Sequence, residues 1–267
     1  MSIQIMQKGT LEYLVAENIP VPHCFTTRYG GVSGGYLESL NIGTSRGDSH
    51  ENVVKNYRIL GEALGFSPED TVFTRQTHTD IVRVVGADDR GTGLFRPPFD
   101  PCDALVTCDP GVALVVFTAD CTPVLLYDPV TGAVGAAHAG WRGTAADIAG
   151  KTVQAMVDNF GTRPEDIRAA IGPNIAQCCF ETDRDVPDAM TAALGEAALP
   201  YIQKAGDKYH VDLKQINAQF LRRRGVTDIQ ISEDCTACQC QRFWSHRRVG
   251  GSRGSQGAII LCQEVKK

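Results

Sequence analysis

The chain has 267 residues, of which 43% are hydrophobic, and it carries a formal net charge of -5 at pH 7. Its lysines and arginines are scattered and form no basic stripe, which argues against nucleic acid as a partner and favours a small molecule. No apolar run approaches the roughly 20 residues that span a bilayer, and the first ten residues lack a signal-peptide pattern, so we expect a cytoplasmic protein without membrane contact.

Ten cysteines are spread over this mid-sized chain. In the absence of an export signal we expect reduced thiols, metal ligands or reactive groups rather than disulfides. No linker-like stretch interrupts the sequence, so we expect a single domain over residues 1–267. We expect this domain to be a monomer or a weak homo-oligomer.

The first strongly patterned segment is residues 50–64, HENVVKNYRILGEAL. Its apolar residues from Val53 to Leu64 recur at helical spacing. Ser49 is a suitable N-cap and Gly65 can adopt the left-handed conformation that ends a helix. The segment therefore predicts a capped amphipathic helix.

Strands are predicted in the middle of the chain. The segments TVFTR and DIVRVV flank Gln76–His78 and are rich in β-branched residues. Three further strand-like runs follow, PCDALVTCDPG, ALVVFTADCTPVLLYD and AVGAAHAG, separated by Asp-Pro turns. The middle run is apolar almost throughout, which predicts a central strand, and we expect it to stop where Thr-Pro follows Cys121.

The remaining segments mix helices and strands. Thr144 is predicted to cap a helix over residues 145–160 that Gly161 ends. IRAAIGP and AIILCQEV favour strands, and DVPDAMTAALG and DLKQINAQFLRRRGV favour helices. Since helices and strands do not alternate strictly, we expect an α+β (mixed α/β) fold, with a mixed β-sheet core layered by helices, rather than a doubly wound one.

Three residues form a candidate metal site: His78, Cys121 and His138, each at the edge of a predicted strand. Catalytic zinc takes about three protein ligands, nitrogen and sulfur donors among them, and keeps one position open. The spacing permits these residues to meet but does not require it. The alternative is a buried cysteine and a hydrogen-bonded histidine.

The segment VGAAHAGWRGT suggests a second feature, an anion site. Gly140 and Gly143 allow the backbone to approach a ligand, and a helix starting at Thr144 would present free N–H groups beside Arg142. The alternative is that Trp141 packs in the core and Arg142 forms an ion pair.

Several long motifs occur in a fixed order between residues 23 and 262: FTTRYGGVSGG, SLNIG, RQTH, DALVT, TADCTPVLLYDP, VGAAHAGWRGT, IGPNIAQCCFET, CTAC and FWSHRR. Together they resemble the bacterial YfiH family of purine nucleoside phosphorylases, once described as multicopper polyphenol oxidases. The resemblance implies one Zn²⁺ per chain, held by His78, Cys121 and His138. It also implies phosphorolysis of adenosine, inosine, guanosine and methylthioadenosine, with adenosine deaminase activity at the same site.

Within that resemblance, Cys121 and His138 are the expected catalytic residues, with Asp120 as a proton-transfer group. Phosphate or substrate contacts are assigned to three arginines, Arg28, Arg142 and Arg247. Each arginine has the alternative of a surface ion pair, and Asp120 has the alternative of orienting a ligand.

Four positions depart from the usual pattern of the family. Thr79 stands where glycine is usual and His246 where tyrosine is usual, both near the expected pocket. Asn174 replaces a frequent cysteine, and Ser49 replaces the second acid of GDDP. None of these changes removes an expected zinc ligand.

Two other enzyme classes remain as alternatives. A copper polyphenol oxidase needs a histidine-rich site, and six histidines without an HxH pair argue against it. A metal-free cysteine hydrolase would use Cys121 as nucleophile and His138 as base. The HxE and PCxxC motifs of base-flipping zinc deaminases are missing.

The other cysteines leave a second metal open. Cys235, Cys238 and Cys240 form a CxxCxC cluster that lacks a fourth ligand unless His246 supplies it; free thiols are the alternative. The adjacent Cys178 and Cys179 are expected to be reduced and partly buried, since a disulfide between neighbours is strained. The glycines of residues 30–35 match no nucleotide-binding pattern and predict a flexible turn near the site.

Overall fold

The computed structural model describes residues 3–265, and this range contains fifteen strands and six α-helices. The strands are β1 (Ile3–Lys8), β2 (Leu11–Ala16), β3 (His23–Thr26), β4 (Thr71–Phe73), β5 (Val82–Val84), β6 (Ala104–Thr107), β7 (Ala113–Thr118), β8 (Thr122–Tyr127), β9 (Val134–Ala139), β10 (Arg168–Ile171), β11 (Glu181–Thr182), β12 (Ile202–Ala205), β13 (Lys208–Val211), β14 (Asp228–Ile231) and β15 (Gln256–Leu261). The helices are α1 (His50–Leu64), α2 (Trp141–Ala145), α3 (Ile148–Phe160), α4 (Asp185–Leu194), α5 (Leu213–Arg223) and α6 (His246–Val249).

The strands form three sheets. The first sheet has the order β1-β2-β3-β15-β7-β4, and the second has the order β14-β10-β8-β9-β6-β5. A small sheet contains β11, β13 and β12. Each of the two large sheets contains both parallel and antiparallel pairs. In the first, β7 is parallel to β4 and antiparallel to β15, and in the second, β10 is parallel to β14 and antiparallel to β8. The expected mixed α/β fold with mixed sheets is therefore confirmed.

The side chains of the two large sheets alternate between different cores. In β7, Leu114 and Val116 point into the core between the sheets, whereas Ala113 and Val115 pack with α1. In β8, Leu125 joins the core between the sheets and its neighbours pack with α3 and α5. Because successive residues of a strand face opposite sides, both sheets are buried on both faces. The layers are thus α1, first sheet, second sheet, and α3 with α5.

Helix α1 agrees with its prediction, including both ends. The Ser49 side chain accepts a hydrogen bond from the backbone N–H of Asn52, and Gly65 has a φ of 82°. The predicted helices at 185–195 and 212–226 and the predicted strands at 71–75, 80–85 and 167–173 are also present, with shorter bounds. The strand predicted at 258–265 is present as β15, which begins two residues earlier and ends at Leu261. Of the helices in the described range, none combines the length and apolar character needed to cross a bilayer.

Two predictions for residues 113–160 were wrong. The run at 113–128 is two strands, β7 and β8, which lie in different sheets, and the chain continues as a strand through Pro123. Thr144 is not a helix cap: it lies inside the five-residue helix α2 and accepts a hydrogen bond from Asn217. The cap of α3 is Asp147, whose side chain accepts the N–H of Gly150. Hydrophobic pattern alone does not show where an apolar run changes sheets.

The crossing between the sheets positions the candidate site. Residues 119–121 connect β7 to β8, so Cys121 lies at the start of β8. The antiparallel register pairs Pro123 with His138 at the end of β9. Cys121 and His138 therefore meet at the same end of this hairpin.

Candidate metal and substrate site

The structure brings together the side chains of His78, Cys121 and His138. Their potential ligand atoms lie within 4.8 Å of one another. Nε2 of His78 is 3.9 Å from Sγ of Cys121. The centroids of the His78 and His138 rings are 5.0 Å apart, and the rings meet edge to face. Two imidazoles and one thiol are donors that suit zinc and leave a fourth position open. The arrangement therefore fits a single tetrahedral zinc ion.

Asp103, which sequence reasoning missed, organises two of these ligands. It is fully buried, directly before β6. Its carboxylate accepts the backbone N–H groups of Thr77, His78 and Thr79 at 2.8 to 3.1 Å. His78 has a φ of 63°, a left-handed conformation that is rare outside glycine, and three successive N–H groups converge on one anion. The only earlier signal was its place at the start of the DALVT motif.

The same carboxylate also holds His138. Nδ1 of His138 lies 2.7 Å from Oδ1 of Asp103, so Nε2 is the nitrogen left for a metal. Burial raises the pKa of the Asp103 carboxyl, but the hydrogen bond and charge of His138 and the donors of Thr79 lower it to about 2. Asp103 is thus ionised at neutral pH and fixes the orientation of the His138 ring.

Thr79, one of the four positions that depart from the family pattern, takes part in this network. Its hydroxyl donates a further hydrogen bond to Oδ2 of Asp103, at 2.8 Å. Glycine, usual at this position in the resembled family, has no such donor. The Thr79 hydroxyl therefore adds one hydrogen bond to the attachment of the loop that carries His78.

Cys121 is a reactive thiol. Burial raises its pKa, but the charges and hydrogen bonds of His138 and His78 lower it to about 6. Burial lowers the pKa of His138, but the charge of Cys121 and the bond to Asp103 raise it to about 9. Cys121 is therefore a thiolate at neutral pH, the form that binds metals and attacks electrophiles.

The two glycines around Trp141 make room for the His78 loop. A Cβ at Gly140 would lie 2.7 Å from Cδ2 of His78 and 3.3 Å from Sγ of Cys121. A Cβ at Gly143 would lie 3.1 Å from the carbonyl oxygen of Thr79. Trp141 packs against the core formed by α4 and α5. These glycines make room for the ligand cluster. Thr144 is buried inside the short helix α2, so it does not begin the helix on which the anion site was expected.

The ligand cluster opens into a cavity of about 470 Å³. Its walls include Phe73, Phe117 and Pro98, and its polar lining includes Arg46, Arg75, Arg253, Thr44, Ser45 and Ser255. Gln76 fixes one wall, since its amide bonds both the N–H and the carbonyl of Phe117. The cavity thus combines the cluster with apolar surfaces and cationic groups.

Arg46 and Arg253 were not predicted from sequence. Arg253 is only 8% exposed, and its Nε is buried without a hydrogen-bond partner among the described residues. Burial and the nearby charge of Arg46 lower the pKa of Arg253 to about 10. With Arg75, three like charges line one cavity, and the unused donor of Arg253 favours binding of an anion. Both residues lie in glycine- and serine-rich loops without a distinctive motif, so only the fold reveals them.

The three arginines expected to contact substrate lie elsewhere. Arg28 stacks on Trp244 and donates to the carbonyls of Glu38 and Cys240. Arg142 is exposed, and its guanidinium group lies 4.1 Å from the centroid of the Trp141 ring.

Arg247 donates to the carbonyls of Cys179 and Glu181. Within residues 3–265, the cavity lining includes none of the three arginines expected from sequence. His246 is exposed, and its Nδ1 contacts the carbonyl of Gly250.

Asp120 connects the start of β8 to two other segments through hydrogen bonds. It has a φ of 86°, and both carboxylate oxygens are engaged. Oδ1 accepts the hydroxyl of Thr236 at 2.6 Å, and Oδ2 accepts the backbone N–H of Arg247 at 2.7 Å. This arrangement fits the ligand-orienting alternative better than proton transfer.

Comparisons with known proteins cover nearly the whole chain. Residues 22–263 match the family model described as "Multi-copper polyphenol oxidoreductase laccase". The protein named "Purine nucleoside phosphorylase" from Deinococcus radiodurans is 42% identical over 94% of this chain and 92% of its own. "Purine nucleoside phosphorylase YlmD" from Geobacillus stearothermophilus is 40% identical over 90% of this chain and 89% of its own. The crystal structure of Bacillus licheniformis hypothetical protein YfiH has a TM-score of 0.90 at 35% identity, covering 96% of this chain and 98% of that one.

Proposed function

Since the chain belongs to the family described as Multi-copper polyphenol oxidoreductase laccase, with relatives named purine nucleoside phosphorylases, we propose that it is a zinc-dependent purine nucleoside phosphorylase. Its proposed substrates are adenosine, inosine, guanosine and methylthioadenosine, with adenosine deamination as a second activity. The observation that carries this proposal is the opening of the His78, Cys121 and His138 cluster into a cavity that is also lined by three arginines, Arg46, Arg75 and Arg253.

In phosphorolysis a phosphate oxygen forms a bond to C1′ of the ribose. The bond between C1′ and the purine nitrogen breaks, and its electron pair leaves with the base. Arg46 and Arg253 would hold the phosphate, because guanidinium groups bind phosphate oxygens with paired hydrogen bonds. Phe73, Phe117 and Pro98 offer apolar surface for the purine. The arginines replace Arg28, Arg142 and Arg247 in our assignment of phosphate contacts.

His78, Cys121 and His138 are proposed to hold the zinc ion. When bound, zinc supplies Lewis acidity at this end of the cavity, which also serves deamination by lowering the pKa of water. Asp103 accepts a hydrogen bond from Nδ1 and so orients the His138 ring with Nε2 toward the ligand cluster. Asp120 acts as a positioning residue, fixing the start of β8 through Thr236 and Arg247.

The test is to incubate the purified protein with inosine, with and without phosphate, and to quantify hypoxanthine and ribose 1-phosphate. We expect base release that depends on phosphate, loss of activity with a chelator and recovery with zinc. Cys121→Ser should lose both zinc and turnover. Cys108→Ser, at a cysteine of similar exposure that contacts the carbonyl of Thr131, is the matched control. Absence of phosphate-dependent release from every purine nucleoside tested would reject the proposal.

A metal-free cysteine hydrolase is the second candidate. Its supporting observation is the sequence of contacts from the Cys121 thiolate to His138 and on to Asp103, which matches the order nucleophile, base and orienting acid. In this mechanism His78 is neither nucleophile, base nor orienting acid, and it only helps to lower the pKa of Cys121. His78→Ala should therefore leave a hydrolase active and inactivate a zinc phosphorylase, so activity assays on this variant separate the two.

The copper polyphenol oxidase is not favoured. In the described part of the chain, His/Cys/Asp/Glu groups close enough to bind a metal occur at the site above and at one cluster made only of cysteines. His23, in contrast, is buried and bonded to the backbone of Ala16 and Val21. A trinuclear copper cluster needs many more histidines together.

A further inference from the structure

Four cysteines from two distant segments form a second cluster. The sulfur atoms of Cys178, Cys179, Cys235 and Cys238 all lie within 4.8 Å of one another. Cys240 and His246, considered from sequence as partners of the CxxC pair, are not part of it within residues 3–265. The cluster thus has four ligands where the sequence pattern alone offered three.

The distances within the cluster match the shape of a zinc site. Zinc bonds thiolate sulfur at about 2.3 Å in tetrahedral geometry, which places the four sulfurs about 3.8 Å apart. Sγ of Cys178 is 3.8 Å from that of Cys179 and 3.6 Å from that of Cys238, and Cys179 and Cys238 are 3.3 Å apart. A disulfide bond is about 2.05 Å long. Cys178, Cys179 and Cys238 are therefore spaced as ligands around one ion, and the sulfur of Cys235 lies within 4.8 Å of all three.

The backbone around Cys235 fixes the position of its sulfur. The buried Sγ accepts the N–H of Ala176 at 3.3 Å. Hydrogen bonds from surrounding groups orient the ligands at metal sites generally. Cys178 and Cys238 are exposed, so an ion can reach the cluster from solvent.

We propose that Cys178, Cys179, Cys235 and Cys238 bind a second zinc ion in a closed structural site. With four protein ligands this ion has no open position, so its role is to hold two chain segments together. Those segments are already adjacent, since Asn174 pairs with Cys235 and the N–H of Thr236 bonds the carbonyl of Asn174.

The second zinc site is connected to the first through hydrogen bonds to Asp120. Thr236, next to Cys235, and Arg247 both donate to the carboxylate of Asp120, which precedes Cys121. The Arg247 side chain in turn donates to the carbonyl of Cys179. The structural zinc therefore stabilises the supports of Asp120 and acts on the first site by positioning only.

Elemental analysis and thiol labelling of the wild-type protein, purified under reducing conditions, test this site first. We expect Cys178 and Cys238 to react slowly with iodoacetamide, despite their exposure, and to react rapidly once a chelator removes zinc. Peptide mass spectrometry identifies the labelled cysteines. Rapid labelling before chelation, a disulfide within the cluster, or iron in place of zinc would overturn the proposal.

Variants then locate the ion. The wild type should hold one more zinc per chain than the double variant Cys178→Ser and Cys238→Ser, and the same amount as the control Cys240→Ser. The double variant His78→Ala and His138→Ala should keep one zinc, and X-ray absorption should show only sulfur neighbours at about 2.3 Å. This last result does not depend on the proposed enzyme activity. Equal zinc in the wild type and the cysteine double variant would refute the site.

Discussion

Nδ1 of His138 donates a hydrogen bond to Oδ1 of Asp103, at 2.7 Å, while the same carboxylate accepts three backbone N–H groups from the loop of His78. One buried acid thus sets the position of one candidate ligand through its ring and of another through its backbone. A metal site is as rigid as the groups that hold its ligands. The geometry of this site should consequently depend on Asp103 as strongly as on the ligands themselves.

Asp103→Asn should weaken zinc binding by roughly 10- to 100-fold, the usual effect of removing a group that orients a metal-bound histidine. The amide can donate to Nδ1 and so favour the wrong tautomer, and it cannot accept all the N–H groups of residues 77–79. Competition with a chromophoric chelator measures the affinity. Asp128→Asn, a buried acid in the turn after β8, is the control and should bind zinc normally. Unchanged affinity in Asp103→Asn would contradict the assigned role.

Gly140→Ala should lower zinc affinity on the order of tenfold without unfolding the protein. The φ of Gly140 is -65°, which alanine accepts, but the new Cβ would lie 2.7 Å from the His78 ring. The His78 ring must move to make room, and this changes the position of His78 relative to the other two ligands. Gly34→Ala, at a φ of -117° with no atom near the added Cβ, is the matched control. Thermal unfolding and zinc titration of both variants separate a local effect on the ligands from general destabilisation.

Arg253→Met should change stability and activity in opposite directions. The KM for phosphate should rise roughly tenfold or more, because charged hydrogen bonds to the anion are lost. Without phosphate, the free energy of unfolding should rise by about 1 kcal/mol, because a buried charge with a lowered pKa is removed. Kinetics at varied phosphate and urea unfolding provide the two values.

Arg58→Gln, at an exposed position of α1, is the control for Arg253→Met and should change neither value. A normal phosphate KM in Arg253→Met would show that Arg253 is not the phosphate contact. The sequence-based assignment predicts instead that Arg142→Gln raises this KM. Measuring both variants therefore decides between the two assignments.

Asp48 should contribute to stability at neutral pH and lose that contribution in acid. Burial raises the pKa of its carboxyl, but hydrogen bonds from Ser33, Asn41, Asn52 and the N–H of Ser49 outweigh this and lower it from 3.8. A carboxyl with a lowered pKa in the folded state stabilises the protein above its ordinary pKa and loses this effect as pH falls below it. Urea unfolding from pH 6 to pH 2.5 should show a smaller decline for Asp48→Asn than for the wild type. Equal declines would contradict the prediction.

Elements defined by neighbouring residues were predictable from sequence. Helix α1 is one example, since Ser49, its apolar stripe and Gly65 lie within 17 residues. The approach of Cys121 and His138 also followed partly from local order, because β8 and β9 form a hairpin. The split of residues 113–128 between two sheets did not, since each half is equally apolar and only tertiary pairing separates them.

The polar partners were harder to predict than the ligands. Asp103 is identified by what converges on its carboxylate, and that depends on the left-handed turn at His78. Arg28 and Arg247 looked suitable for phosphate, yet backbone carbonyls occupy their guanidinium groups. An arginine's partner is set by chain segments far away in sequence, so residue type and motif cannot identify it.

The three-residue connection between β7 and β8 limits where the chain can accept insertions. Insertion of one residue between Thr118 and Thr122 would shift Cys121 relative to both sheets, because each strand is fixed by pairing on either side. The turn after Asp128 lies at the other end of the hairpin, about 20 Å away for six residues of strand. Insertions should therefore be accepted at residues 129–132 and rejected at 119–121. The turn at residues 129–132 is the place to attach a tag or a reporter.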